Sequence, residues 1–318
     1  MDDESGLPEQ FRNDRKKAIQ KLSHLIYSPR RDPKVFREKL EEAFFSPFLP
    51  HRVEHSEFFV ENVSCEMLSP QAYVKNRIIF YVHGGSFLGG SSRSWRTFCA
   101  SFANECVSRL VIPNYRLAPT FAFPVALEDI QTVFRHLLNQ EYATIKNDSG
   151  SIQTPKIIIA ADSSGASLAL ALVLNLKENI RRFIKQIVLL SPWVDLSPES
   201  IFNTAKKNSD EIISSAAYKR CADLYTYVSN LKNPLVSPLY TSEQSLRDFP
   251  PVYIQMGSDE ILLADVKRFC EKLKAASVPC TLDVWSGMMH LFQMADEYLT
   301  ESHLAVRRVG KYVRDNTR

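Results

Sequence analysis

Short runs of aliphatic and β-branched residues alternate along this chain with longer segments of helical spacing. Such continuous apolar runs predict strands that are buried on both faces of a sheet. Strands are predicted within 57–64 and at 77–82, 110–113, 157–160, 186–190, 252–256 and 280–285. Helices are predicted over 92–106, from 123 onward, and over 166–174, 264–276 and about 295–313. This alternation predicts an α/β fold with a mostly parallel central sheet and helices on both faces.

Two segments depart from the alternation and predict a helical cap. Residues 9–28 carry apolar positions at helical spacing, and Asp32-Pro33 supplies the N-cap and first-turn proline of a second amphipathic helix. Residues 198–249 have no strand pattern. We therefore predict N-terminal cap helices in 1–55 and a catalytic domain in 56–318, with 198–249 contributing to the cap.

Composition narrows the partners and cofactors. The 39 basic and 36 acidic residues nearly cancel and form no basic block, which argues against nucleic acid. The six cysteines form no CxxC pair, so neither a disulfide framework nor a zinc site is indicated, and we predict no metal and no cofactor. The acidic start and the absence of a long apolar run argue against a signal peptide and stable membrane insertion. We expect a cytoplasmic protein.

The segment Ala161-Asp162-Ser163-Ser164-Gly165 lies between a predicted strand and a predicted helix. Small residues on both sides of Ser163 suit a tight, strained turn that presents a nucleophilic hydroxyl, the G-x-S-x-G pattern with Ala161 in place of its first glycine. Shifting the frame to Ser164 would put the larger Asp162 at a flank, so Ser163 is the candidate nucleophile. We expect Asp162 to fix the turn. The alternative is a serine N-cap without a catalytic role.

Consecutive glycines follow the strand at 77–82, in the segment His83-Gly84-Gly85-Ser86-Phe87. Glycines let backbone amides turn toward a ligand, which an oxyanion hole requires. A phosphate-binding loop would need a lysine after the glycines, and none follows. His83 ends a strand beside these glycines, so we expect it to fix the loop rather than to act as a base.

An acid and a histidine follow later strands in the order typical of α/β-hydrolases: nucleophile, acid, histidine. His290 would accept the proton of Ser163, and Asp259 would hold the imidazole in the required tautomer. Asp259 is preferred as the acid because it lies nearer the strand end than Glu260. Glu260 and Asp195 remain the alternatives.

The motifs of the chain together resemble those of the hormone-sensitive-lipase family of α/β-hydrolases, specifically its bacterial esterase branch. They are HGGSF, NYRLAP, FPVALED, ADSSG, SPWVDLS, LVSPLY, GSDEILLAD and GMMHLFQ, in this order from about residue 58 to the C-terminus. The resemblance implies an α/β-hydrolase fold with a helical cap. It also implies a serine carboxylic-ester hydrolase that acts on small acyl esters, with lactones as further substrates in some members.

The resemblance assigns the catalytic triad to Ser163, Asp259 and His290. It assigns the oxyanion hole to Gly84, Gly85 and the amide of Ser164. Bulky apolar residues beside the catalytic loops, together with Ser86 in place of the third motif glycine, predict a narrow hydrophobic acyl site. The predicted substrate-binding residues are Ser86, Phe87, Trp193 and Met289.

Two other functions remain open on the same fold. An amidase or arylformamidase would use the same acyl-transfer groups on an activated amide. A ligand-binding protein without turnover would need no base, and His290 argues against it. We expect a small ester as substrate, a preference for short acyl chains, and a homodimer as one candidate assembly.

Overall fold

The apolar runs form one eight-stranded sheet in the computed structural model, which describes residues 9–50, 52–148, 154–200 and 210–317. The strands are β1 (Val53–Val60), β2 (Val63–Pro70), β3 (Arg77–Val82), β4 (Arg109–Pro113), β5 (Lys156–Asp162), β6 (Ile184–Leu190), β7 (Val252–Gly257) and β8 (Cys280–Trp285). Their order across the sheet is β1-β2-β4-β3-β5-β6-β7-β8.

The direction of the strands confirms the predicted mostly parallel sheet. β3 pairs in parallel with β4 and β5, and β5 through β8 continue in parallel. β1 and β2 form an antiparallel hairpin, and β2 pairs antiparallel with β4. The first strand, β1, begins at Val53 and thus before the predicted strand pattern at 57–64. The carboxyl ends of β3 and β5 through β8 share one edge, where ligands bind in open α/β sheets.

Helices cover the sheet on both faces, as predicted. They are α1 (Glu9–Leu22), α2 (Pro33–Phe44), α3 (Ser92–Cys106), α4 (Val125–Asp148), α5 (Ser163–Asn175), α6 (Glu178–Arg181), α7 (Ser215–Tyr225), α8 (Leu263–Ala275) and α9 (Thr300–Asn316). The first helix is shorter than predicted, because the chain tightens into a 3₁₀ turn at Ser23–Leu25. The last helix begins later than expected, after a 3₁₀ turn at Phe292–Met294. No helix in the described ranges is long and apolar enough to cross a membrane.

Helix α5 lies at the centre of the core. Its side chains from 163 to 173 are all buried, which explains why leucine and alanine occupy its whole length rather than one face. Strands β3 and β5 beside it are also almost fully buried. A helix surrounded in this way is held firmly, so its first residue, Ser163, has a fixed position.

Helix α2 is attached to the loops after β3 and β4. Asp32 caps α2 by accepting hydrogen bonds from the amides of Lys34 and Val35, as its position before Pro33 predicts. Further along α2, the guanidinium of Arg37 donates to the carbonyl oxygens of two loop residues. These two acceptors are Leu88 and Ala118, at 2.6 and 2.8 Å.

The contacts of α2 do not by themselves locate the predicted boundary between the cap and the catalytic domain. Parts of the predicted cap, residues 1–8, 51 and 201–209, lie outside the described residues. In the described part of 198–249, α7 is accompanied by three 3₁₀ turns, and no strand is present. The division at residue 55 stays a prediction.

Candidate active site

Ser163 lies at the junction of β5 and α5, in a turn that only small neighbours allow. Its φ of 45° is in the left-handed region, which is strained for a residue with a side chain. A Cβ on Gly165 would lie 2.2 Å from the carbonyl oxygen of His83, so β3 leaves no space for a larger residue there. Ala161 is fully buried. The turn is therefore the strained strand-to-helix elbow that the sequence predicts.

His290 connects the hydroxyl of Ser163 with a buried carboxylate. Its Nε2 lies 3.1 Å from Ser163 Oγ, and its Nδ1 lies 2.9 Å from Glu260 Oε2. An ionised carboxylate can only accept, so the proton of a neutral imidazole is on Nδ1 and Nε2 is free to accept. This tautomer is the one that a general base for Ser163 requires.

Glu260 is held in place by the loops on both sides of it. Its Oε1 accepts hydrogen bonds from the amide of Gly257 at 2.6 Å and from the hydroxyl of Ser191 at 2.7 Å. Burial raises the pKa of the Glu260 carboxyl, and the hydrogen bond with His290 opposes that rise. Every oxygen of this carboxylate therefore has a partner, which fixes its orientation toward the imidazole.

Asp259, which the sequence analysis preferred as the acid, does not contact His290, and this expectation is corrected. Its side chain is 38% exposed, accepts a hydrogen bond from the hydroxyl of Ser258, and lies 3.5 Å from the guanidinium of Arg15. The amide of Asp259 donates to the carbonyl of Met288 at 3.2 Å. The turn after β7 brings the following residue, Glu260, to the imidazole.

Asp195, the other alternative for the acid, serves its own loop. It is fully buried, and its Oδ1 accepts the amide of Ser197 at 2.8 Å. Burial raises the pKa of the Asp195 carboxyl. These contacts belong to the loop after β6, and the carboxylate that faces His290 is that of Glu260.

The glycine loop differs in one respect from the predicted oxyanion hole. The amide of Gly84 donates to Asp162 Oδ1 at 3.1 Å, so it is already occupied by a protein acceptor. No hydrogen bond within the described residues uses the amides of Gly85, Ser86 or Ser164. The predicted set of Gly84, Gly85 and Ser164 is therefore corrected at its first member, because Ser86 rather than Gly84 has an available amide.

The buried carboxylate of Asp162 forms hydrogen bonds with the elements around the serine turn. Besides the Gly84 amide, its Oδ1 accepts hydrogen bonds from the hydroxyl of Tyr81 at 2.9 Å and the indole of Trp95 at 2.8 Å. Burial raises the pKa of Asp162 to about 6, although these hydrogen bonds oppose the rise. The side chain joins β3, α3 and the serine turn, in agreement with the expected role of fixing the turn.

His83 has the loop-fixing contacts expected of it. Burial lowers its pKa to about 4, so the ring is neutral at physiological pH. Its Nδ1 donates to the carbonyl of Gly84 at 2.8 Å, and its ring stacks on Tyr115 with centroids 4.4 Å apart. These contacts support a structural role for His83 in fixing the loop.

Three of the predicted substrate-binding residues are buried apolar side chains, and the fourth, Ser86, is hydrogen-bonded to the N-terminal segment. Phe87 and Trp193 are buried, with ring centroids 5.5 Å apart. Met289 is also buried. Ser86, by contrast, accepts a hydrogen bond from the amide of Tyr27 at 3.2 Å, so its hydroxyl ties the glycine loop to the N-terminal segment. The expectation that the Ser86 side chain narrows the acyl site is thus not supported.

Tyr218 is a site residue that the sequence analysis missed. It lies in the first turns of α7, is 1% exposed, and packs on Trp193 with ring centroids 3.9 Å apart. Burial raises the pKa of its phenol well above the usual value, while an interaction with the side chain of Ser163 lowers it. No signal in the sequence indicated this, because none of the recognised motifs includes Tyr218.

One cluster of potential metal ligands occurs in the described ranges, away from the catalytic loops. His55, Glu57 and Glu66 have ligand atoms within 4.8 Å of one another. The guanidinium of Arg96 donates to both oxygens of Glu66 at 2.7 and 2.5 Å, and lies 3.8 Å from Glu57. A fixed positive charge thus already occupies the position that a cation would take.

The chain is similar to ester-cleaving proteins in both sequence and structure. A family model described as the alpha/beta hydrolase fold matches residues 79–294. An esterase of Acinetobacter venetianus is 33% identical over 239 residues, which is 74% of each chain. An acetyl-hydrolase of Streptomyces hygroscopicus is 29% identical over 258 residues, 81% of this chain and 82% of that protein.

Among solved structures, an esterase from the bacterial hormone-sensitive-lipase family superposes with a TM-score of 0.83. It is 27% identical, and the match covers 96% of this chain and 99% of that one. The chain belongs to the α/β-hydrolase fold family. The resemblance to bacterial esterases of the hormone-sensitive-lipase group is thereby confirmed.

Proposed function

We propose that this enzyme of the esterase class hydrolyses small carboxylic esters through an acyl-enzyme intermediate on Ser163. His290 is the general base and acid, and Glu260 fixes its tautomer and stabilises the imidazolium. One observation carries the proposal: the His290 ring lies 3.1 Å from Ser163 Oγ on one side and 2.9 Å from Glu260 on the other. This is the nucleophile, base and acid arrangement of acyl-transfer enzymes.

Acylation begins when Nε2 of His290 takes the proton of the Ser163 hydroxyl. Oγ attacks the carbonyl carbon of the ester, and the carbonyl π electrons move to oxygen to give a tetrahedral oxyanion. As the oxyanion re-forms the carbonyl, the bond to the alcohol oxygen breaks. His290 gives its proton to the leaving alkoxide, so an alcohol departs and Ser163 carries the acyl group.

Deacylation repeats the sequence with water. His290 removes a proton from a water molecule, whose oxygen attacks the acyl carbon. The second tetrahedral oxyanion collapses, the bond to Oγ breaks, and His290 returns the proton to Ser163. The products are a carboxylic acid and the regenerated enzyme, and no cofactor is consumed.

The oxyanion in both steps is stabilised by backbone amides. The amides of Gly85, Ser86 and Ser164 make no hydrogen bond within the described residues, and they belong to the two loops that flank the nucleophile. Donors that are fixed in advance and aimed at developing charge contribute about 10²–10³ each to kcat. Gly85 suits this role because its φ is 103° and a Cβ at this position would lie 2.3 Å from the carbonyl oxygen of Gly89, which excludes other residues.

A cap over the site favours small substrates. Ser163 and His290 are each only 1% exposed. Arg15 of α1 donates to the carbonyl of Gly287 in the histidine loop at 2.6 Å, and the amide of Tyr27 donates to Ser86. We infer that the N-terminal helices and α7 form this cap. The acetyl-hydrolase activity in the name of the Streptomyces hygroscopicus relative is consistent with a short acyl group.

A series of p-nitrophenyl esters from acetate to palmitate tests the proposal, with a lactone and an aryl formamide included. The expected result is the highest kcat/KM at acyl chains of a few carbons and a steep fall for long chains. Ser163→Ala serves as the background control. Hydrolysis of the formamide in preference to every ester would replace the proposed reaction with amide cleavage, and a peak at palmitate would contradict the small-substrate assignment.

A further inference from the structure

Tyr218 lies close to the serine turn, on a different element from His290. It belongs to α7, whose N-cap Ser214 accepts the amide of Ala217 at 3.2 Å and fixes the first turn. The ring of Tyr218 packs on Trp193 with centroids 3.9 Å apart, and the amide of Trp193 donates to the carbonyl of Ser163 at 3.0 Å. The ring is 1% exposed, so it is enclosed in the protein at this point.

The ring of Tyr218 also forms one wall of a separate pocket. With Trp193 it lines a pocket of about 480 Å³ whose other lining residues come from the loop after β6, α7 and the turn that follows α7. They include the apolar residues Leu196, Pro198, Ala222, Val228 and Leu231. This volume lies in the range of small-molecule sites. The Trp193–Tyr218 pair therefore separates Ser163 from a pocket with a largely apolar lining.

Within this pair, Trp193 is held by the loop after β6, whereas Tyr218 belongs to α7 of the cap. The amide of Trp193 donates to the carbonyl of Ser163 at 3.0 Å, its indole donates to the carbonyl of Asp195, and its own carbonyl accepts the hydroxyl of Ser167. Truncation of Trp193 would remove the indole bond to Asp195 within the loop whose backbone is hydrogen-bonded to Ser163 and Ser167. Truncation of Tyr218 would therefore join Ser163 to the pocket with less effect on the catalytic groups than truncation of Trp193.

The Trp193–Tyr218 pair faces the acyl side of the substrate. His290 must protonate the leaving oxygen, so the alcohol part of an ester lies toward the imidazole. The acyl chain extends from the same carbon in another direction. The Trp193–Tyr218 pair lies beside Ser163 on the loop after β6 and on α7, whereas His290 approaches Ser163 from the loop after β8, beside Glu260.

We propose that Tyr218 is a specificity-determining residue, whose ring closes the acyl site against the 480 Å³ pocket and so limits the length of the acyl chain. The proposal rests on the esterase function proposed above. Without the ring, the acyl site and the pocket join, and the added space accepts further methylene groups. Each buried methylene contributes roughly fourfold to binding, so four methylenes contribute on the order of 100-fold.

The test compares Tyr218→Ala with the wild type on p-nitrophenyl butyrate, octanoate and dodecanoate, all below their micelle concentrations. The ratio of kcat/KM for octanoate over butyrate is expected to rise on the order of 100-fold in Tyr218→Ala, if the four added methylenes are buried. Tyr218→Phe keeps the ring and removes the hydroxyl, so its ratio should stay within about threefold of the wild type.

A second variant refills the space. Ala222 lies one helical turn after Tyr218 on the same face of α7 and lines the pocket. In Tyr218→Ala/Ala222→Phe, the new ring is expected to bring the octanoate-to-butyrate ratio back toward the wild-type value. If Tyr218→Ala loses its cooperative thermal transition, Tyr218→Leu takes its place in the comparison.

Three results overturn the inference. The first is an unchanged ratio in a folded Tyr218→Ala or Tyr218→Leu variant, and the second is the same shift in Tyr218→Phe. The third is a gain confined to acetate esters of larger alcohols, since it would put the pocket on the leaving-group side. Failure of the proposed function is distinguishable, because the wild type itself would then hydrolyse none of the esters.

Discussion

Replacing Glu260 with glutamine changes one atom of the site and should remove most of the activity. In the wild type, Oε1 accepts from the Gly257 amide and the Ser191 hydroxyl, while Oε2 accepts from His290 Nδ1 at 2.9 Å. Glutamine can keep the first two bonds only by turning its NH₂ group toward Nδ1. Two donors would then face each other, so the imidazole must move its proton to Nε2, and Nε2 can no longer accept from Ser163.

The size of the loss follows from this change of tautomer. In serine proteases, the corresponding carboxylate-to-amide change lowers kcat by about 10⁴, and each factor of ten is about 1.4 kcal/mol of barrier, so about 5 kcal/mol is expected here. The assay is kcat for p-nitrophenyl butyrate at neutral pH, with thermal unfolding to show that the variant is folded.

Asp259→Asn is the matched control, because it makes the same chemical change one residue earlier. The Asp259 side chain is 38% exposed, and its ion pair with Arg15 at 3.5 Å is long. Exposed pairs contribute about 0–1 kcal/mol, which corresponds to at most about fivefold in a rate, so kcat should change less than about fivefold. A loss of 10³ or more in Asp259→Asn, with Glu260→Gln close to wild type, would refute the reasoning.

Three further predictions concern the serine turn. Ser164→Ala removes the acceptor of the Phe87 amide, so stability should fall by about 1–3 kcal/mol while kcat changes less than tenfold, as urea unfolding and ester assays will show. Gly165→Ala forces a Cβ to 2.2 Å from the His83 carbonyl, and urea unfolding should show a loss of about 3 kcal/mol or more. Asp162 has a raised pKa of about 6, so the folded state retains a proton that the unfolded state releases near pH 4. Wild-type stability should therefore decrease from about pH 4 to 6 relative to Asp162→Asn, and parallel pH profiles would argue against it.

Much of the fold could be predicted because its elements carry local signals. The buried parallel strands are continuous apolar runs, and α5 is recognisable from leucine and alanine along its whole length. The β1–β2 hairpin was only partly predicted, since β1 is largely exposed and its charged residues give no apolar run. Its pairing with β4 is a long-range contact that the pattern along the chain does not contain.

The site could be predicted to the level of loops and not always to the level of single residues. Ser163 and His290 were identified because each occupies a loop after a strand in the expected order. Glu260 and Asp259 are neighbours, and only the hydrogen bonds of the turn decide which side chain faces the imidazole. The same holds for Gly84, whose amide is occupied by a carboxylate from the adjacent strand.

Covalent labelling of the nucleophile tests the central claim most directly. Wild-type enzyme is incubated with a fluorophosphonate ester, and the intact mass and the labelled peptide are determined by mass spectrometry, with Ser163→Ala and Ser164→Ala in parallel. A single adduct on Ser163 is expected in the wild type and in Ser164→Ala, formed as esterase activity disappears, and no adduct is expected in Ser163→Ala. An adduct on another residue, or full loss of activity without modification of Ser163, would contradict the assignment of Ser163 as the nucleophile.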